Sequence, residues 1–516
     1  MSSTTTPVSV TEQSCQSSGQ IIHDCIVRWL RSEGGTPVTE IDYNQSLFEL
    51  GVTSMGAAMI AGELESITGK TLNPEAFFEL ETINDLAEYL DSVPVRAQKT
   101  DAAEEQAEEV RETPAASEVE SGDPLEHYSR MNRRVHGLKQ KGLYFFEPEI
   151  SQHDGAWVVI NGKRMLMMSS YEYLGLLGHE ELKAAAASAL EEFGTGHHGA
   201  RLLAGTTSLH RKLEAALASF MNSDDAIVFS SGYVTNLATI STLVGRGDCV
   251  IGDKLNHASI VDGCRLSGAD FLEFRHNDID SLCECLQQAQ GQRTLVVVDA
   301  VFSMDGDIAD LPAIVEQCKK NNAILMVDEA HSIGVLGATG RGIQEHFGLD
   351  GRDIDVKMGT LSKTLASSGG FVAGREEIVT YLRHHARGYI FSGALPAGQA
   401  NVAIAALEVM QREPELVRRL WENVEYYRSG LQKLGFDTGH TVTPIIPVMT
   451  RNDEKTIEMT RLCRDAGLMV VPVCFPAVPL DAPRLRTCVS ANQTKEELDF
   501  ALSVLAQAGR QTGLIA

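Results

Sequence analysis

The sequence has 516 residues, a net charge of −26 and ten cysteines, none of which is spaced as a Cys-x-x-Cys pair. This length exceeds one hydrophobic core and predicts two to four domains, while the negative charge argues against binding to nucleic acids or anionic membranes. The scattered cysteines argue against a disulfide framework and a zinc site, so no metal is expected. Residues 1–7 lack the regions of a signal peptide and no apolar run reaches 18 residues, so we expect a cytoplasmic protein.

The first quarter of the chain is predicted to be helical and then flexible. Residues 1–18 are rich in Ser, Thr and Gln and predict a disordered tail. Residues 19–92 carry apolar residues at helical spacing and predict a bundle of four helices. These helices are expected at 21–30, from Ser54 onward, near 74–78 and at 83–90. Residues 93–122, rich in Ala, Glu and Pro, predict a flexible acidic linker with a reach of about 30 Å, either a tether for transfer or a simple spacer.

Ser54 lies at the predicted start of the second helix, just after Gly51. A serine there is commonly a simple N-cap, although a helix N-terminus also favours a phosphate. The motif Leu-Phe-Glu-Leu-Gly-Val-Thr-Ser-Met at 47–55, together with the helix at 81–90, resembles acyl carrier proteins of the polyketide-synthase type. That resemblance implies that residues 19–92 form a carrier domain and that Ser54 carries 4'-phosphopantetheine. A phosphopantetheinyl transferase would then be a partner.

The remainder of the chain predicts two α/β domains. Residues 123–436 alternate continuous apolar runs with helical patterns, which indicates a largely parallel seven-stranded sheet covered on both faces. The predicted strands are 226–229, 249–251, 271–274, 294–298, 323–327, 354–358 and 370–373. Residues 437–516 predict a smaller C-terminal α/β domain with strands at 445–449, 468–471 and 485–489.

Lys363 follows one predicted strand and is surrounded by small and hydroxylic residues. Asp328 ends another strand, and His331 stands three residues beyond it. Ligands of such sheets bind at the carboxyl ends of the strands. A lysine alone would be read as a surface residue, but a strand-end Asp, a His and a Lys beside hydroxyls are what pyridoxal 5'-phosphate (PLP) requires. The lysine forms a Schiff base and the acid keeps the pyridine nitrogen protonated.

Residues 230–236, Ser-Ser-Gly-Tyr-Val-Thr-Asn, follow a strand and open a helix. The backbone N–H groups of Gly232 and Tyr233 could receive the cofactor phosphate there, although a plain helix start has the same appearance. His257 follows another predicted strand. A single histidine in that position is more often structural.

These motifs together resemble one family. From about residue 126 to the end, the chain resembles the α-oxoamine synthases, which belong to the fold-type I PLP enzymes and include serine palmitoyltransferase and 8-amino-7-oxononanoate synthase; it looks most like the bacterial serine palmitoyltransferases. The motifs are Gly-Thr-Gly at 194–196, Asn-His-Ala-Ser at 256–259, Asp-Glu-Ala-His-Ser at 328–332, Ser-Lys at 362–363 and Arg-Leu-Arg at 484–486.

The resemblance implies a role for each matching residue. Lys363 would be the Schiff-base lysine and would later move protons, with Asp328 paired to the pyridine nitrogen. His331 and Ser303 would contact the phenolic oxygen of the cofactor. His257 would stack on the cofactor ring and orient the substrate carboxylate.

The resemblance also places the phosphate and the substrate. Gly232, Tyr233 and Thr360 would hold the phosphate, and Ser392 would reach the phosphate of the neighbouring subunit. Arg486 would bind the carboxylate of the amino acid.

Some positions depart from the family pattern. Asp299 stands where a Glu is usual, and Tyr171 with Glu172 stands where many members have an Asn. Cys474 occupies a position where the resemblance to bacterial serine palmitoyltransferases implies an Arg, and glycine and alanine at 393–394 replace hydroxylic residues. The substrate is therefore left open.

The predicted reaction is a decarboxylative condensation of a small amino acid (Ala, Gly or Ser) with an acyl thioester. The fused carrier suggests that the acyl group arrives on Ser54 from an upstream polyketide or fatty-acid synthase, in a specialised pathway. Two alternatives are open: an acyl-CoA-dependent enzyme whose carrier is not the donor, and a non-catalytic carrier scaffold. The family's active site lies between two subunits, so a homodimer is expected.

Overall fold

The computed structural model describes residues 17–32, 41–43, 60, 64, 67–68, 70, 80, 82–92, 125–475 and 477–516. The chain divides into two compact units, one comprising residues 1–144 with 474–483 and the other residues 145–473 with 484–516. The domain boundaries placed at 18, 92, 122 and 436 stay predictions. Among the described helices, none is both long and apolar enough to cross a membrane.

The first unit contains three described helices: α1 (Ser18–Ser32), α2 (Ile83–Ser92) and α3 (Glu126–Gln140). Helices α1 and α2 confirm the predictions at 21–30 and 83–90. Their apolar faces share a buried core that also includes Ile60 and Leu64. Ile67, which has the same helical spacing, is 51% exposed. Ser54 and the predicted third helix of the bundle lie outside the described residues.

The second unit contains a seven-stranded sheet preceded by an antiparallel meander. The meander consists of β1 (Ile150–Asp154), β2 (Trp157–Ile160) and β3 (Lys163–Met167). The large sheet consists of β4 (Asp225–Phe229), β5 (Cys249–Asp253), β6 (Asp270–Phe274), β7 (Thr294–Asp299), β8 (Ile324–Asp328), β9 (Val356–Thr360) and β10 (Gly370–Gly374). All seven predicted strands of the large sheet are present.

Helices cover this sheet. They are α4 (Glu180–Phe193), α5 (Ser208–Phe220), α6 (Gly232–Leu243), α7 (Ala258–Ser267), α8 (Ile279–Gln288), α9 (Leu311–Lys320), α10 (Ile343–Phe347), α11 (Glu376–His385), α12 (Arg387–Ile390) and α13 (Ala397–Arg412). Alternate residues of β7 pack into two separate cores, with Val296 and Val298 in one and Leu295 and Val297 in the other. Both faces of the sheet are therefore buried, as its continuous apolar runs predict.

The strand order of the large sheet is β4-β10-β9-β8-β7-β5-β6. Its strands run parallel except β10, which pairs antiparallel with both β9 and β4. The nine residues 361–369 that join β9 to β10 are too few for a parallel crossover, which needs a dozen or more. The chain therefore turns back at once, and Lys363 lies in this short loop.

The C-terminal region contains α14 (Glu415–Leu434), β11 (Ile445–Met449), α15 (Asp453–Asp465), β12 (Leu468–Met469), β13 (Val471–Val473), β14 (Arg484–Cys488) and α16 (Lys495–Gln511). The single strand predicted at 468–471 is wrong in one respect, because β12 pairs with β3 whereas β13 pairs with β14. The guanidinium of Arg464 donates to the carbonyl of Val470, at 3.1 Å, and so removes that oxygen from either ladder.

Candidate active site

The carboxyl ends of the parallel strands bring the predicted site residues together around one cavity of about 250 Å³. Asp328 ends β8, His257 follows β5 and Lys363 follows β9. The predicted residues that line this cavity are Gly232, Tyr233, His257, Ser303, Asp328, His331, Thr360 and Lys363. Residues separated by up to 131 positions in the chain thus meet at one place.

Lys363 is half-buried in the loop between β9 and β10. Two backbone hydrogen bonds close this loop, from Leu361 to Gly369 and from Ser367 to Leu361. Burial lowers the pKa of Lys363 to about 8, although the carboxylates of Asp328 and Asp299 act in the opposite direction. An amine with this pKa is partly neutral near pH 8, so it can act as a nucleophile and accept a proton.

Asp328 is buried at the end of β8, with 4% of its surface exposed. Its Oδ1 accepts the backbone N–H of Ala330 at 2.9 Å, and its Oδ2 accepts the side-chain amide of Asn236 at 2.7 Å. These two donors fix the orientation of the carboxyl group at the wall of the cavity. An acid held in this way is suited to pair with a protonated ring nitrogen.

His331 also lines the cavity, and its Nδ1 is 2.7 Å from the hydroxyl of Tyr173. Burial lowers the pKa of His331 well below its usual range, and the positive charges of Lys363 and Arg486 lower it further. The imidazole is therefore neutral at physiological pH. It can exchange a hydrogen bond with a ligand oxygen without adding charge to the site.

His257 caps the N-terminus of α7 and opens onto the cavity. Its backbone N–H donates to Asp299 Oδ2 at 2.8 Å, and its Nδ1 lies 2.7 Å from the hydroxyl of Ser259. Desolvation lowers the pKa of His257, whereas burial and the nearby Asp328 raise the pKa of Asp299 well above its usual range. Asp299, which departs from the family pattern, thus anchors the backbone that carries His257.

The part of the cavity lined by the start of α6 is suited to an anion. Helix α6 begins at Gly232, and the Ser231 side chain caps it by accepting the N–H of Val234 at 3.2 Å. A Cβ atom at Gly232 would lie 3.0 Å from Thr360 Oγ1, so a side chain at this position would crowd that hydroxyl. Backbone N–H groups at a helix start together with a hydroxyl form a phosphate site.

Arg486 lies on β14, 6% exposed, with its guanidinium 4.6 Å from the centre of the Tyr171 ring. Its Nε and Nη2 atoms are buried and have no hydrogen-bond partner among the residues that the structure describes. Leaving a buried charge unpaired is costly, so these donors fit an anionic group of a ligand.

Ser392, like Arg486, is not among the residues that line the cavity. Its hydroxyl lies 3.3 Å from that of Ser230, in the turn that precedes α6. The predicted contact of Ser392 with the phosphate of a neighbouring subunit stays a prediction.

A second cavity, of about 400 Å³, shares Ser362 and Lys363 with the first. Its walls are mostly apolar and include Phe145, Phe146, Pro148, Ile150, Met167, Leu177, Met469 and Val471. Glu172 also lines it, and burial raises the pKa of this carboxyl to about 7. A chain that is mainly hydrocarbon with a few polar groups fits such a lining.

Asn236 and Tyr173 are among the site residues that the sequence did not indicate. Asn236 lies one helical turn beyond Gly232 and lines the same cavity, so this spacing was a usable signal. Tyr173 pairs with His331 across 158 positions of sequence, and no local pattern indicates such a contact.

Comparisons with known proteins agree with this geometry. Residues 163–505 match the family described as aminotransferase class I and II, and residues 22–90 match the phosphopantetheine attachment site. The 8-amino-7-oxononanoate synthase of Symbiobacterium thermophilum is 45% identical over 383 residues, which are 74% of this chain and 97% of that protein. The corresponding protein of Thermosipho melanesiensis is 43% identical over 389 residues, 75% of this chain and 99% of its own.

Solved structures give the same result. A serine palmitoyltransferase from S. paucimobilis with a bound PLP–myriocin adduct is 36% identical, with a TM-score of 0.74, and covers 76% of this chain and 100% of its own. The Sphingomonas wittichii serine palmitoyltransferase is 34% identical, with a TM-score of 0.74, and covers 77% of this chain and 100% of its own.

Proposed function

The chain belongs to the class I and II aminotransferases and, within them, to the α-oxoamine synthases with an N-terminal carrier domain, and we propose that it joins a small amino acid to an acyl thioester. It is a PLP-dependent C-acyltransferase. The proposed products are an α-amino ketone, carbon dioxide and the free thiol. The main support for the proposal is the position of Lys363, which lines both the 250 Å³ cavity and the apolar 400 Å³ cavity.

The first cavity fits PLP. Lys363 would hold the cofactor covalently through Nζ, and the N-terminus of α6 with Thr360 would hold its phosphate. Asp328 would face the ring nitrogen, with Ser303 and His331 near the phenolic oxygen. When bound, PLP supplies an electron-withdrawing ring that takes up the electron pair left at the Cα atom of the amino acid.

The residues of the chain would bind and orient the substrate and move its proton. Arg486 would bind the amino-acid carboxylate through its Nε and Nη2 atoms, which have no hydrogen-bond partner in the described part of the chain. Lys363 Nζ would remove the Cα proton and later return one, which its lowered pKa favours near pH 8. The acyl carbon would approach from the apolar cavity that Lys363 shares.

We infer that the acyl donor is the chain's own carrier domain, loaded on Ser54. The phosphopantetheine match at residues 22–90 and the predicted linker support this. A flexible tether gives an effective donor concentration of around mM. The upstream loading enzyme would be a polyketide or fatty-acid synthase of a specialised pathway, and the working unit would be a homodimer.

One observation favours an alternative donor. The two 8-amino-7-oxononanoate synthases match 74% and 75% of this chain while using 97% and 99% of their own length, so they have no counterpart of the first quarter of the chain. An acyl-CoA could therefore enter the same apolar cavity, with the carrier serving another protein.

The Ser54→Ala variant separates these donors. If the acyl group is delivered by Ser54 of the same chain (self-delivery), the variant should lose turnover of acyl groups that are loaded on the carrier domain. It should keep the absorbance of the bound cofactor. A Ser92→Ala variant, altered at an exposed hydroxyl, is the matched control and should behave as wild type. Unchanged turnover of the natural donor in Ser54→Ala would contradict self-delivery. The cofactor assignment has a separate test, which is loss of the visible absorbance band of bound PLP in Lys363→Ala.

A further inference from the structure

A chain of hydrogen bonds connects Asp328 to His257 through Asn236 and Ser259. The side-chain nitrogen Nδ2 of Asn236 donates to Asp328 Oδ2 at 2.7 Å and to Ser259 Oγ at 2.9 Å. Ser259 Oγ lies 2.7 Å from Nδ1 of His257. Asn236 and Ser259 are each 1% exposed, so water does not compete for these contacts.

The direction of each hydrogen bond follows from the chemistry of the groups. An ionised carboxylate only accepts hydrogen bonds, so Asp328 requires the amide nitrogen of Asn236, and not its oxygen, to face it. The unpartnered state of the buried Asn236 Oδ1 among the described residues agrees with an orientation set by the nitrogen. The second N–H of the same nitrogen then donates to Ser259.

Ser259 accepts from Asn236, and its own hydroxyl hydrogen is therefore free to donate to His257 Nδ1. The backbone N–H of Ser259 donates to the same Nδ1 atom at 3.2 Å. A nitrogen that accepts two hydrogen bonds carries no proton. The proton of the neutral imidazole must then be on Nε2, which has no hydrogen-bond partner within the described part of the chain.

We propose that Asn236 and Ser259 are positioning residues that fix His257 as the Nε2–H tautomer, so that His257 donates a hydrogen bond to a substrate oxygen and does not act as a base. This assignment rests on the proposed function for its catalytic meaning. It leaves Lys363 as the group of the site that takes the Cα proton. It also couples the residue that faces the cofactor ring to the residue that faces the substrate.

A double-mutant cycle tests the proposal. The dissociation constant of the amino acid is measured on the PLP-bound enzyme without acyl donor, through the change in cofactor absorbance. Ser259→Ala should raise this constant about fivefold, the value of one hydrogen bond, because Nδ1 loses a donor and the tautomer is no longer fixed. In a His257→Phe background, which keeps a ring but no nitrogen, Ser259→Ala should have almost no effect. Equal effects of Ser259→Ala in the two backgrounds would overturn the proposal.

Ser241→Ala is the matched control, because the Ser241 hydroxyl donates to a carbonyl within the same helix α6. It takes no part in the relay, which is the chain of hydrogen bonds from Asp328 to His257. A second readout does not depend on the reaction. In histidine-labelled protein without cofactor, nitrogen NMR should show the His257 signal, assigned by its loss in His257→Phe, with Nδ1 unprotonated. A protonated Nδ1 would refute the relay even if the enzyme were active, whereas an unprotonated Nδ1 in a protein that binds no amino acid would refute only the proposed function.

Discussion

At the scale of single residues, the site depends on groups whose charge or pairing is abnormal for their type. Lys363 has a lowered pKa and His331 is a buried neutral imidazole, while Arg486 has two buried donors, Nε and Nη2, without a partner among the described residues. Each abnormality is costly without a ligand and becomes favourable when one binds. The sequence predicted these three residues because each follows a strand end or a family motif. Asn236 was missed because its two acceptors lie 23 and 92 positions away.

The pH dependence of Lys363 can be measured in cofactor-free protein. The rate at which added PLP is captured should rise with pH, with a midpoint near 8 and a plateau about one unit higher, because burial lowers the pKa of the amine to about 8 and only the neutral amine attacks the aldehyde. Stopped-flow absorbance between pH 6.5 and pH 9.5 gives the profile. A midpoint near the ordinary lysine value, or no pH dependence, would contradict the burial of this amine.

Replacement of Arg486 tests the carboxylate site. Arg486→Gln should raise the KM for the amino acid roughly 10- to 100-fold, because charge-assisted hydrogen bonds contribute about 1.5–3 kcal/mol, while the KM for the acyl thioester changes little. Steady-state kinetics with each substrate varied in turn separates the two effects. The control is Arg418→Gln, an exposed arginine paired with Glu422. An equal rise in both KM values would indicate general damage to the site.

At the scale of elements, the large sheet follows from local patterns and the C-terminal strands do not. Continuous apolar runs predicted all seven strands of the sheet because both faces are buried. The break between β12 and β13 depends on Arg464 reaching the carbonyl of Val470, which is a tertiary contact that no sequence periodicity reports. Ile67 likewise has the helical spacing of a core residue and is nonetheless exposed.

His276 connects two segments of the site. One is the end of β5, which precedes His257, and the other is the loop after β7, which carries Ser303. Its ring nitrogens lie 3.0 Å from Asp253 and 2.8 Å from Asp307. Burial disfavours its charge, but the hydrogen bonds to the two carboxylates outweigh this and raise the pKa of His276 to about 10. A charged imidazole therefore joins the last residue of β5 to the loop after β7 at neutral pH.

His276→Ala should destabilise the protein by roughly 2 kcal/mol at pH 6, the usual value of hydrogen bonds to a charged group. A folded-state pKa above the unfolded value gives stability that is fully present below about 6.5 and is lost as pH rises through about 10. Denaturant midpoints of wild type and variant should therefore converge above pH 10. His384→Ala, at an exposed helical histidine, should change little at any pH. A constant difference across this range would exclude the charged form.

At the scale of the whole molecule, the central question is whether the carrier domain supplies its own catalytic domain. The sequence identified both parts, because the serine motif and the PLP motifs are short and dense. It did not identify the amino acid or the acyl chain, because no motif reports the shape of the 400 Å³ cavity, and Glu172, which lines it, departs from the family pattern.

If each chain uses the acyl group on its own carrier domain, the rate per molecule does not depend on protein concentration. Protein loaded with acyl groups on Ser54 should form product in a single turnover at a rate that does not change when the protein is diluted 100-fold, because the tether sets the donor concentration. Rapid quenching and mass measurement of the carrier give this rate. A rate that falls in proportion to dilution would show that donors are exchanged between molecules.

The most direct test of the account is borohydride reduction of the PLP-loaded protein, followed by peptide mapping. Two lysines in the described chain, Lys357 and Lys363, have a pKa lowered to about 8 by burial. Lys357 Nζ, however, donates to the carbonyls of Met221 at 2.7 Å and Asn222 at 3.2 Å. The account predicts that the cofactor is found on Lys363 alone and that Lys357 is unlabelled. Label on another lysine, or none after PLP addition, would contradict it.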